Sequence, residues 1–107
     1  MTAEARFDAL VGELTRIAGV TPPGTGKGFG SSALRFQNKI FAMLAGGRLV
    51  VKLPRARVDA LVAAGEGVRF DAGKGTPMRE WLSVDPTSDL AWEPLAREAL
   101  AFAGHRG

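Results

Sequence analysis

Between Ala33 and Leu53 the chain reads as three short stretches of alternating apolar and polar residues, joined by turns of only two or three residues. Ala33–Gln37 sets Leu34 and Phe36 on one side and Arg35 and Gln37 on the other. Asn38-Lys39 makes a tight turn into Ile40–Leu44. Ala45-Gly46-Gly47 then turns the chain into Arg48–Leu53, where Leu49, Val51 and Leu53 oppose Arg48, Val50 and Lys52. A period of two is strand geometry. Connections this short join only antiparallel neighbours, because a parallel crossover needs about a dozen residues or more. The segment is therefore expected to be an antiparallel meander on which the rest of the chain packs.

The flanks supply that packing. Residues 1–18 read as an N-terminal helix, with Phe7, Leu10, Val11, Leu14, Ile17 and Ala18 at helical spacing, Thr2 as N-cap and Gly19 as the stop. Residues 19–32, with five glycines and two prolines, read as a long loop. Pro54 opens a second helix with Val58, Leu61, Val62 and Ala64 as its stripe. Val68–Phe70 and Met78–Val84 read as strands around a glycine-rich loop, followed by a C-terminal helix over 88–103 and a tail, 104–107. Pro94 confines the start of that last helix, since proline is tolerated only in the first turn. A chain of 107 residues makes one domain with a single core. The expected fold is α+β, in the order α-β-β-β-α-β-β-α. It is a two-layer sandwich of a five-stranded antiparallel sheet with helices on one face.

Charge is unevenly distributed along this framework. Eight cations (Arg16, Lys27, Arg35, Lys39, Arg48, Lys52, Arg55 and Arg57) lie between Leu14 and Val58 without a single Asp or Glu. The rest of the chain, with six cations and eleven acids, carries −5. Such asymmetry points to an acidic partner more strongly than the net +3 does. Arg55 and Arg57 fall in a first helical turn, where the macrodipole disfavours cations, so their placement has a local cost that favours a binding role.

Several chemistries are excluded by what is missing. The chain has no cysteine and no tyrosine, and its one histidine, His105, sits in a Gly-His-Arg-Gly tail. Thiol catalysis, disulfides and thiolate metal sites are out, and a Ser-His-Asp triad or zinc hydrolase has no histidine in an ordered pocket to use. No cofactor and no enzymatic activity are expected. Apolar runs fall far short of the roughly 18–20 residues that span a bilayer. The acidic start is unlike a signal peptide, so no membrane partner and a cytoplasmic location are expected.

Three motifs invite a functional reading. Thr21-Pro-Pro-Gly-Thr-Gly-Lys27-Gly28 looks like a phosphate-binding loop, but Thr21 stands where the motif needs glycine and Gly28 where it needs Ser or Thr for magnesium. The segment also leads into a strand, so no helix N-terminus faces a phosphate. Lys27-Gly28-Phe29-Gly30 matches half of an RNA-recognition signature, whose second half here is the non-aromatic Ser31-Ser32-Ala33. The Gly-Lys-Gly triplets at Lys27 and Lys74 pair a cation with exposed backbone N–H groups, a usable anion cradle, although glycine and lysine also serve ordinary soluble turns. Trp81 and Trp92 are expected in the core, and Glu80, beside Trp81, is a remote candidate for a buried base.

Gly28-Phe29-Gly30-Ser31, Lys39-Ile40-Phe41-Ala42-Met43-Leu44, Leu49-Val50-Val51-Lys52-Leu53 and Gly73-Lys74-Gly75 through Met78-Arg79-Glu80-Trp81 together resemble the MmcQ/YjbR-like and TfoX N-terminal-like proteins. The resemblance runs from Phe29 to Val84. It implies a two-layer domain similar to the secretion-chaperone fold and supplies no active site. DNA binding is a common label in that family, and no second domain of the kind the competence regulators carry is expected here.

The residues expected to contact nucleic acid or another polyanion are Lys27, Arg35, Lys39, Arg48, Lys52, Arg55, Lys74 and Arg79. Of these, Arg35, Arg48 and Lys52, with Gln37 and Val50, should project from one sheet face, which Phe41 and Met43 could join as stacking partners. The competing expectation is an interaction domain that binds an acidic protein or a homodimer that covers the open sheet face.

Overall fold

The structure, a computed structural model, describes residues 2–22, 33–71 and 78–106. Among them run α1 (Ala3–Leu14), β1 (Val20–Thr21), β2 (Ala33–Phe36), β3 (Lys39–Ala45), β4 (Arg48–Lys52), α2 (Arg55–Ala63), β5 (Gly67–Arg69), β6 (Trp81–Val84) and α3 (Trp92–Arg106). All strands join one antiparallel sheet in the order β1-β2-β3-β4-β6-β5. The α+β architecture and the meander are as expected. The sheet has six strands, one more than expected, because Val20 and Thr21 pair with Phe36 and Arg35 inside the stretch read as loop.

Both hairpin turns hold two residues with positive φ, Gln37 (51°) and Asn38 (71°), then Gly46 (59°) and Gly47 (76°). This is the geometry that matches the strand twist. It places the first turn one residue earlier than expected and leaves Lys39 to open β3. Helix α1 is capped by the Thr2 hydroxyl, which accepts from the Ala5 N–H at 3.0 Å. The helix stops at Leu14, where the Thr15 hydroxyl back-bonds to the Val11 carbonyl at 2.7 Å. Pro94 is accommodated in the first turn of α3.

One row of side chains crosses the sheet from Leu34 through Ala42 and Val51 to Leu82, each the direct cross-strand partner of the next. Every member is fully buried, and all three helices pack on that row. Phe7, Leu10 and Leu14 come from α1, Val58 and Leu61 from α2, and Trp92, Leu95, Ala96, Ala99 and Ala103 from α3. The layer arrangement is therefore helices over sheet, on one face.

A single irregularity in β3 fixes the other face. Leu34 pairs with Ala42, but Arg35 pairs with Ile40, so Phe41 is an extra residue on β3, a β-bulge. The bulge reverses the alternation, and Phe41 and Ala42 both enter the helix-side core. Phe41 is thus fully buried under the helices, not available on the open face as the strict alternation implied. The open face holds a small second cluster of Ala33, Met43 and Val50, with Ile40, Ala45, Phe70 and Trp81 packed around it.

Candidate functional site

Next to the bulge the sheet is incomplete on its β4 side. Strand β3 begins at Lys39, but its pairing with β4 starts only at Ala42 opposite Val51. At that end Lys52 pairs instead with Trp81 on the far side. A groove of about 560 Å³ lies in the gap, with Asn38, Lys39 and Ile40 on one bank, Lys52 and Trp81 on the other, and Phe102 of α3 among its lining. A second groove, about 450 Å³, continues past the same Lys52 and Trp81 and is lined by Arg55, Met78, Arg79 and Glu80. A third hollow of about 90 Å³ is walled by Ile40, Met43, Phe70, Met78 and Trp81, with no polar side chain. All three depressions meet at Trp81. The two larger ones fall in the size range of small-ligand sites, roughly 300–1,000 Å³.

The cations of the site reach it by different routes. Lys39 is exposed at the first position of β3, directly after the Gln37–Asn38 turn. Lys52 ends β4 with its ammonium 5.9 Å from the Trp81 ring centroid, close to the outer limit of a cation–π contact. Arg55 is exposed in the first turn of α2, a helix start with no side-chain cap and no acidic residue in its first turn. Arg79 is exposed in the turn that leads into β6. Four of the expected contact residues thus surround one half-buried aromatic. Glu80, in the same turn, is half-buried and not the buried base the sequence could have supplied.

Three other arginines, Arg48 and Arg57 of the basic window and Arg69 beyond it, are engaged elsewhere. The Arg48 guanidinium donates to the carbonyls of Val84 (3.1 Å) and Ser83 (3.3 Å), tying the start of β4 to the end of β6. Beside it, two hydrogen bonds from Thr87, hydroxyl and backbone N–H, hold the Asp85 carboxyl below its ordinary range, with a smaller contribution from the Arg48 charge. Arg57 makes a two-pronged pair with Glu98 at 2.9 and 3.1 Å, which raises its already high pKa, chiefly through the hydrogen bond. Arg69 pairs with Asp59. Arg35 is half-buried on β2, directly across from Ile40, one strand removed from the groove. Lys27 and Lys74 lie outside the described residues. Among the described residues the open face is therefore apolar at its centre.

Trp81 is the residue that sequence reasoning undervalued. Both tryptophans were expected in the core, and Trp92 is there, 7% exposed with the Arg6 guanidinium 4.0 Å above its ring. Trp81 is only partly covered and lines every wall of the site. The available signal was the Arg79-Glu80-Trp81 sequence at a strand start, where a charged turn delivers an aromatic to the sheet end.

Among the described residues no group of His, Cys, Asp and Glu could hold a metal ion, and no helix is long and apolar enough to cross a membrane. Set against known proteins, the chain matches no family model, no curated protein and no solved structure.

Proposed function

We propose that the protein is a non-enzymatic binding module that takes nucleic acid, or a polyanion like it, in the grooves around Trp81. One observation carries this reading: Lys39, Lys52, Arg55 and Arg79 line two adjoining grooves that share one partly open aromatic ring, Trp81. Arg48, Arg57 and Arg69 meanwhile are engaged within the fold. Phosphate contacts need cations that can leave water for a ligand without breaking the protein, and those four qualify. A cytoplasmic setting and kinship with the MmcQ/YjbR-like and TfoX N-terminal-like proteins belong to the same proposal.

The test is a titration of fluorescent DNA and RNA at several salt concentrations. Neutralising four phosphates gives a slope of log K against log salt of about −3 to −4. The Lys39→Glu/Arg79→Glu variant should lose most of the affinity and about half of the slope. Affinity that ignores salt, or that survives the double charge reversal, contradicts the proposal.

A second reading has its own observation. Strand β5 is a sheet edge, and its Val68 is 53% exposed. An exposed edge with an apolar side chain can pair with a second copy or with a peptide strand.

A further inference from the structure

We infer that the ligand is a single strand of nucleic acid, laid across Trp81 with its phosphates on the flanking cations and a base against the indole. The inference rests on the polyanion reading above and specifies its ligand class. Phosphates alone account for Lys39, Lys52, Arg55 and Arg79, but they have no use for the third hollow. That hollow is walled by Ile40, Met43, Phe70, Met78 and Trp81 and sits where the two basic grooves meet. A ligand that fills both kinds of surface carries negative charge and a planar apolar face on the same chain. Nucleic acid has both, yet in a duplex the base faces are stacked inside and out of reach. In a single strand they are free, and every base presents a π-face to an aromatic side chain.

The spread of the cations distinguishes a polymer from a free nucleotide. Lys39 lies in one groove, Arg55 and Arg79 in the other, and Lys52 with Trp81 between them. One phosphate group fills one side only, whereas consecutive phosphates of a strand engage both. Lys52 fits the transition between free and bound states. It is Trp81's direct cross-strand partner, and at 5.9 Å its ammonium is held loosely enough to turn to a phosphate as a base takes its place by the ring.

The experiment compares three probes on the intact chain: an unstructured oligonucleotide of about 12 nucleotides, within the usual span of single-strand sites, the same sequence as a duplex, and inorganic polyphosphate. The single strand should bind at least about tenfold tighter than the duplex and quench the tryptophan emission. Trp81→Leu should weaken single-strand binding about tenfold, the scale of one base–aromatic stack. The same change should leave polyphosphate binding unchanged, and Trp81→Phe should retain most of the affinity. Should Trp81→Leu fail to fold, the quench carries the comparison: the single strand but not polyphosphate should produce it in the parent chain, and a quench of equal size in Trp81→Phe, or with polyphosphate, overturns the inference. Equal or tighter duplex binding, or a Trp81→Leu loss shared by polyphosphate, overturns the single-strand inference and leaves the polyanion reading standing. Absence of binding by all three probes overturns the polyanion reading itself.

Discussion

At the scale of single residues, equal formal charge conceals unequal roles. Arg48 and Arg79 are both expected contact residues, but one guanidinium is hydrogen-bonded to two backbone carbonyls and the other is exposed in a turn. Removing Arg48 strips a charged donor from partly buried carbonyls, a loss of about 1–2 kcal/mol. Arg48→Met should therefore lower the melting temperature by roughly 5–10 °C in a domain of this size. Arg79→Met should change stability by no more than about 0.5 kcal/mol and weaken polyanion binding instead. Thermal melts alongside titrations of the two variants check this, and a reversed pattern would mean the two arginines have been assigned the wrong way round. Sequence could list these cations but not separate them. The partners of Arg48 lie 35 and 36 positions away, and that of Arg57 lies 41 away.

At the scale of elements, the meander was legible because period-two alternation and turns of two residues leave few alternatives. Gln37–Asn38 and Gly46–Gly47 adopt the positive φ values that such turns demand. Two features were not legible. Strand β1 has two residues and no periodicity, and it exists only because Phe36 and Arg35 offer it an edge. The bulge adds one residue to β3, and that insertion puts Ile40 on the open side and Phe41 on the helix side, the reverse of what strict alternation with Ala42 and Met43 implies. For that reason Phe41 appeared to belong with Met43 when it belongs with Ala42. The edge strand β5 raises the question of self-association at this scale. It has three residues, and Arg69 within it is paired with Asp59. Short edges bearing charge resist pairing. Light scattering should accordingly find a monomer from micromolar to millimolar concentration, and Val68→Lys should leave that unchanged. A dimer dissolved by Val68→Lys would establish the second reading in place of the first.

At the scale of the whole molecule, the acid-free window marks a basic stretch of sequence without placing its cations in space. Folding disperses the described cations of the window. Lys39, Lys52 and Arg55 reach the grooves, Arg79 joins from outside the window, and Arg48 and Arg57 become internal ties. The apolar centre of the open face was present in the sequence as Met43 and Val50, whereas the groove lined by Ile40, Lys52 and Trp81, at the end where β3 is not paired with β4, comes only with the fold. The two indoles provide the most direct test of the central claim, since one lines the grooves and the other is buried beneath Arg6. In a ¹H–¹⁵N correlation spectrum titrated with a short oligonucleotide, the Trp81 indole N–H and the backbone amides of Lys39, Lys52, Arg55 and Arg79 should shift progressively while the Trp92 indole stays in place. Shifts centred on the β5 edge or on α1, with the Trp81 indole unmoved, would contradict the account.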